Sequence, residues 1–188
     1  MSVLLLLDTS GSMYGEKITI MQQAVTDLLA GIKNKLPDLP VGIITFGDIP
    51  VLQPFATASE ISLSEYEARG KSAFQETMAL VESIKPDSMV LISDGIYDNN
   101  VPLIKESEPT ARFAINIGYD ADLDMLTQFA GSNLFSAFDA ENMAGFLVHT
   151  LSDLPNLSNN SSNVSAPKLA NKTDEADLSS NLLVERSE

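Results

Sequence analysis

Apolar positions along the chain alternate between unbroken runs and helical spacing. Val3 to Leu7 is a continuous apolar run, the mark of a strand buried on both faces. Ile18, Met21, Val25, Leu28, Leu29, Ile32 and Leu36 then recur at three- and four-residue intervals. That spacing predicts an amphipathic helix of about five turns, ended by Pro37 and Pro40. Val41 to Phe46 reads as a second buried strand, followed by the turn residues Gly47-Asp48-Ile49-Pro50 and a short strand Val51–Gln53 closed by Pro54. So short a connection fits a hairpin, which makes this third strand antiparallel and places it on the edge of the sheet.

Residues 56–70 carry the least regular pattern, although Ser62 and Glu65 have the spacing of a capping box and predict a turn or two of helix. A helix over 72–84 places Phe74, Thr77, Leu80, Val81 and Ile84 on one face. Ser88–Ser93 is a fourth strand, Val101–Ile104 a short helix with Pro102 in its first turn, and Arg112–Ile117 a fifth strand. Asp122–Ala130 reads as a helix, Leu134-Phe135 as a short sixth strand and Glu141–Leu154 as a last helix. Strands alternating with helices predict an α/β fold: a doubly wound, mostly parallel six-stranded sheet with one antiparallel edge strand and helices on both faces.

The pattern stops at Pro155. Residues 155–188 hold six Asn and seven Ser in 34 positions, with no aromatic residue. Such a segment buries too little apolar surface to offset its ordering entropy, so a domain over 1–154 is expected to carry a disordered tail over 155–188. A length of 188 residues at 44% hydrophobic content suits one filled core. The net charge of −15 argues against nucleic acid and anionic membrane surfaces as partners. With no cysteine, and with Met1-Ser2 running straight into the first strand, the expected location is the cytoplasm. Oligomeric state is not legible.

Candidate chemistry sits where the first strand ends. Asp8, Ser10 and Ser12 alternate with Thr9 and Gly11, so one carboxylate and two hydroxyls converge beyond the carboxyl end of a strand, where open α/β sheets bind ligands. Hard oxygen donors at this spacing suit magnesium, with manganese or calcium as alternatives. The lone His149 lies among apolar residues of the last helix and supports no catalytic triad. Gly11 to Lys17 lacks the spacing of a phosphate-binding loop.

Asp8-Thr9-Ser10-Gly11-Ser12-Met13, followed by Gly15, Lys17 and Ile18, resembles the first loop of the metal-ion-dependent adhesion site of von Willebrand factor type A domains. The resemblance implies two further loops. The second supplies a threonine in a Gly-x-Thr setting, and Gly70-Lys71-Ser72 stands there with Ser72 as the candidate. Ser72 and Gln75 also form a capping box, so cap and ligand compete for one hydroxyl, and the resemblance favours the ligand. Lys71 departs from the small residue usual at that place and brings an ammonium near the site. The third loop is matched by Ser93-Asp94-Gly95.

The implied ligand set is therefore Asp8, Ser10, Ser12, Ser72 and Asp94, with hydroxyls binding the ion directly and acids acting through water. A protein partner presenting an Asp or Glu carboxylate would complete the ion's coordination. The motif looks most like bacterial stand-alone members, such as those associated with tellurite resistance and stress response, and implies a binding module and not an enzyme. The alternative is a magnesium-dependent phosphoryl-transfer domain of receiver or phosphatase type. Against it, Asp8 has no adjacent acid.

Overall fold

The computed structural model describes residues 1–97 and 111–157, with the backbone alone over 152–157. Six strands form one sheet: β1 (Val3–Asp8), β2 (Pro40–Phe46), β3 (Pro50–Thr57), β4 (Ser88–Ser93), β5 (Ala111–Asn116) and β6 (Leu134–Ser136). Their order is β3-β2-β1-β4-β5-β6, all pairs parallel except β2 with β3. The expected architecture, including its antiparallel edge, is the one observed.

β1 sits at the centre of the sheet and its six residues are all buried. Val3, Leu5 and Leu7 face α1 (Glu16–Lys35) and α4 (Ala140–Leu157), while Leu4 and Leu6 face α2 (Phe74–Ile84) and α3 (Leu123–Ala130). This is why the run is continuously apolar: each side chain of the strand, whichever way it points, meets a helix layer. α1 and α4 pack so closely that a Cβ added at Gly31 would lie 2.7 Å from Ala144 Cβ.

Four expectations are corrected. The third strand does not stop at Pro54 but continues to Thr57. Val41 faces Ala56 and Ile43 faces Gln53, so Pro54 and Phe55 together stand opposite Gly42 in a bulge. Proline has no N–H to donate, and a bulge on an edge strand is where that loss breaks no ladder bond. Phe55 folds over Gly42, where a Cβ would lie 2.9 Å from its ring.

The helix expected from Ser62–Glu65 is absent. Residues 61–69 form an irregular strap whose Ile61, Leu63, Tyr66 and Ala68 pack against the α1/α4 side of the core. Two pairs of apolar residues at two-residue spacing serve an extended chain lying on a surface, and that packing outweighs a local cap signal. The capping box at Ser72 is also absent, since α2 begins at Phe74 with Ala73 before it and no side-chain cap. By contrast, Asp122 does cap α3, accepting from Met125 N at 3.0 Å. The last helix runs to Leu157, three residues past its expected end. The short helix expected at 101–104 and the tail from 158 onward lie outside the described residues.

Candidate metal centre

Parallel strands bring their carboxyl ends to one edge of the sheet, so the loops after β1, β2, β4 and β5 gather there. The first loop leaves β1 at Asp8. Ser10 is extended (φ −70°, ψ 168°), and Gly11–Met13 then close a 3-10 turn in which Met13 N donates to Ser10 O at 3.1 Å. Met13 is fully buried and anchors the turn from below. The turn brings Ser10 Oγ and Ser12 Oγ within 3.1 Å of each other.

The second loop is laid against the first by backbone hydrogen bonds: Arg69 N to Thr9 O at 2.9 Å and Gly11 N to Gly70 O at 2.9 Å. Gly70 has φ +74°, and a side chain there would collide with the Asp48 carboxylate, so glycine is required twice over. Two residues on, Ser72 Oγ is buried and has no hydrogen-bond partner among the described residues. A buried hydroxyl without a partner is uncommon and costs on the order of 1–3 kcal/mol. A free oxygen on a loop that adjoins the one carrying Ser10 and Ser12 is a candidate cation donor, and α2 has no side-chain cap that would use it.

Two carboxylates complete the centre, and neither has exposed surface. Asp8 Oδ1 accepts from Ser10 N at 2.9 Å and Oδ2 from Ser93 Oγ at 2.6 Å. Burial pushes the Asp8 pKa from 3.8 up to about 6; these hydrogen bonds oppose the rise and the nearby Asp94 charge adds to it. Ser93 Oγ in turn accepts from Gly95 N at 2.8 Å and from Tyr97 OH at 2.9 Å. Burial, with Asp8 close by, raises the Tyr97 phenol well above its ordinary value, so it remains a donor.

Asp94 follows β4 and is held differently. Its Oδ1 accepts from Ser12 Oγ at 3.2 Å and Ile96 N at 3.1 Å, while Oδ2 accepts from Lys17 Nζ at 2.8 Å. Lys17 also donates to Asp120 Oδ2 at 2.9 Å. Partial burial pulls the ammonium downward, but its bonds to Asp94 and Asp120 outweigh this and hold its pKa above the ordinary lysine value. The Asp120 carboxyl lies below its usual range because Lys17 donates to it.

The structure thus joins Asp8, Ser10, Ser12 and Asp94 in one hydrogen-bonded network and places Ser72 on the adjoining loop. Among the described residues no group of three or more His, Cys, Asp or Glu could hold an ion, so any cation here relies on hydroxyls. Magnesium and manganese accept such oxygens and keep waters, so the donor chemistry fits them.

Sequence reasoning missed Lys17, Ser93, Tyr97 and Asp120 as working parts. It assigned the local ammonium to Lys71, whose side chain is exposed and whose backbone N–H donates to Asp48 Oδ1 at 3.1 Å. Lys17 stood inside the recognised motif, but no spacing rule pairs position 17 with position 94.

No family model matches the chain, and no curated protein matches it. Solved structures do. Proximal thread matrix protein 1 from the mussel byssus superposes with a TM-score of 0.61 at 15% identity over 80% of this chain, which spans 47% of that protein. The manganese-loaded TRAP protein of Plasmodium vivax gives 0.62 at 15% identity, over 80% of this chain and 73% of that one. A von Willebrand factor type A structure from Catenulispora acidiphila gives 0.58 at 14% identity, over 76% and 42%. At these identities the likeness is one of fold: the chain has the doubly wound α/β fold of von Willebrand type A domains.

Proposed function

We propose that this protein is a divalent-metal-dependent binding module, which captures an acidic side chain of a protein partner through an ion held by Ser10, Ser12 and Ser72. Ser72 carries the reading: its hydroxyl is buried and without a partner on the loop that adjoins the other two serines. Ser10, Ser12 and Ser72 offer neutral oxygens, whereas all four oxygens of Asp8 and Asp94 already accept hydrogen bonds. This arrangement suits direct contact by hydroxyls, with the carboxylates acting through water. A bound ion would supply an electrophilic position at which a partner carboxylate replaces water. The manganese carried by the TRAP structure of the same fold agrees with this choice of ion.

The surroundings suit a protein ligand. Tyr14, Ile96 and Tyr119 stand within two residues of Ser12, Asp94 and Asp120, and their relative exposures are 81%, 44% and 104%. Apolar side chains left in water around a polar centre are typical of a docking face.

Titration of the protein with Mg2+ and Mn2+ by calorimetry tests the first half of the reading. Saturable binding at one site, lost in Ser72→Ala combined with Ser12→Ala, is expected. Binding that survives the double substitution would overturn the ligand set.

A further inference from the structure

We infer that Lys17 sets the charge of the metal centre, weakening its hold on the ion and strengthening the ion's hold on a carboxylate. The inference rests on the metal reading above and goes beyond it. Lys17 lies on the first turn of α1, and its side chain is only 16% exposed. Its ammonium bonds Asp94, which has no exposed surface, and Asp120, which is half exposed. The path of the chain is cleared for it: Gly118 has φ +87°, and a Cβ there would lie 2.9 Å from Lys17 Cε. A lysine so enclosed occupies a fixed position, unlike a solvated ammonium that swings in water.

Charge counting gives the consequence. A dication set against Asp8 and Asp94 alone would be neutral, and the site would have little electrostatic demand for an anion. Lys17 compensates Asp94, so the loaded centre is left with one positive charge, which a single carboxylate neutralises. Asp120 changes this little, because its carboxylate reaches water and is screened. The same ammonium repels the incoming dication. Metal affinity and carboxylate affinity should therefore respond to Lys17 in opposite directions, which a residue that merely supports the fold would not produce.

The test uses the full chain as wild type, Lys17→Met, which keeps most of the stem, and Lys17→Gln, which keeps a donor for Asp94. Each is titrated with Mn2+ by calorimetry. The manganese-loaded proteins are then titrated with acetate, a single-carboxylate probe, followed by water-proton relaxation. Removing one positive charge beside a dication should tighten Mn2+ about tenfold and weaken acetate about tenfold in both variants. If Lys17→Met fails to fold, Lys17→Gln alone decides. Wild type that binds no Mn2+ overturns the metal reading itself. Wild type that binds Mn2+, with variants that weaken both ligands together or change neither, overturns the role of Lys17 alone.

Discussion

Asp8 and Asp94 lie at the ends of adjacent strands, equally cut off from water, yet the fold meets their charges by different means. Asp8 is held by neutral donors only, a backbone N–H and a serine hydroxyl. Asp94 has a full opposite charge at 2.8 Å. Hydrogen bonds from neutral groups offset part of the cost of burying a carboxylate, and a paired ammonium offsets much more. Asp8 is accordingly the residue whose ionisation the fold leaves unfavourable. One loop holds a charge unmatched by any cation among the described residues, which the proposed reading reserves for the ion, and the other holds a charge already matched.

The largest effect should follow from removing the reserved charge. Asp8→Asn is expected to abolish saturable Mn2+ binding by calorimetry, and affinity within about threefold of wild type would show that the ion does not need Asp8. The same variant tests the electrostatics without metal. Asp8 has its folded pKa raised from 3.8 to about 6, so the stability it contributes is fully present below about pH 4 and is lost as pH rises through 6. Two pK units correspond to up to roughly 3 kcal/mol. In chelator, wild type should thus lose stability relative to Asp8→Asn between pH 4 and pH 8, read from denaturant midpoints. Parallel curves for the two proteins would mean that Asp8 titrates as it does when unfolded.

A smaller effect is expected at Ser72, the one candidate donor that neither carboxylate holds. Ser72→Ala should weaken Mn2+ about tenfold and leave the metal-free protein no less stable, because the hydroxyl it removes has no partner. A helix cap would behave in the opposite way, with a loss of about 1 kcal/mol and no change in metal affinity. Calorimetry and thermal melting in chelator together separate the two roles.

Much of this was readable from residue order, and the reasons differ by element. β1 and β4 announce themselves because central strands of a parallel sheet are apolar on both faces, and that pattern has few competitors. Asp8, Ser10 and Ser12 are contiguous, so one short motif carries their geometry. The strap over 61–69 and the bulge at Pro54 were misread because each answers to a surface far away in sequence: the face of α1 for Tyr66, and Gly42 for Phe55. Lys17 and Tyr97 were invisible for a related reason. Their partners are 77 residues away in one case and met through a serine hydroxyl in the other.

The smallest effect sharpens the comparison most. Tyr97 never touches Asp8 but donates to Ser93 Oγ, which donates to Asp8 Oδ2. Its ring stacks on Phe74 with centroids 4.7 Å apart and planes 19° off parallel, and it leans on Phe46 at 6.4 Å. Tyr97→Phe keeps those ring contacts and removes only the hydroxyl. Ser93 retains Gly95 N as a donor, so it is not stranded, but it is less polarised and becomes a poorer donor to Asp8. The variant should therefore lose about 1 kcal/mol of stability, weaken Mn2+ by about twofold to threefold, and move the Asp8 transition to slightly higher pH. A loss of Mn2+ affinity as large as that of Asp8→Asn would instead mean that the phenol itself belongs among the ion's ligands. No change in the pH transition, with stability lowered all the same, would confine the phenol's contribution to its own hydrogen bond with Ser93 and leave Ser93 to hold Asp8 unaided.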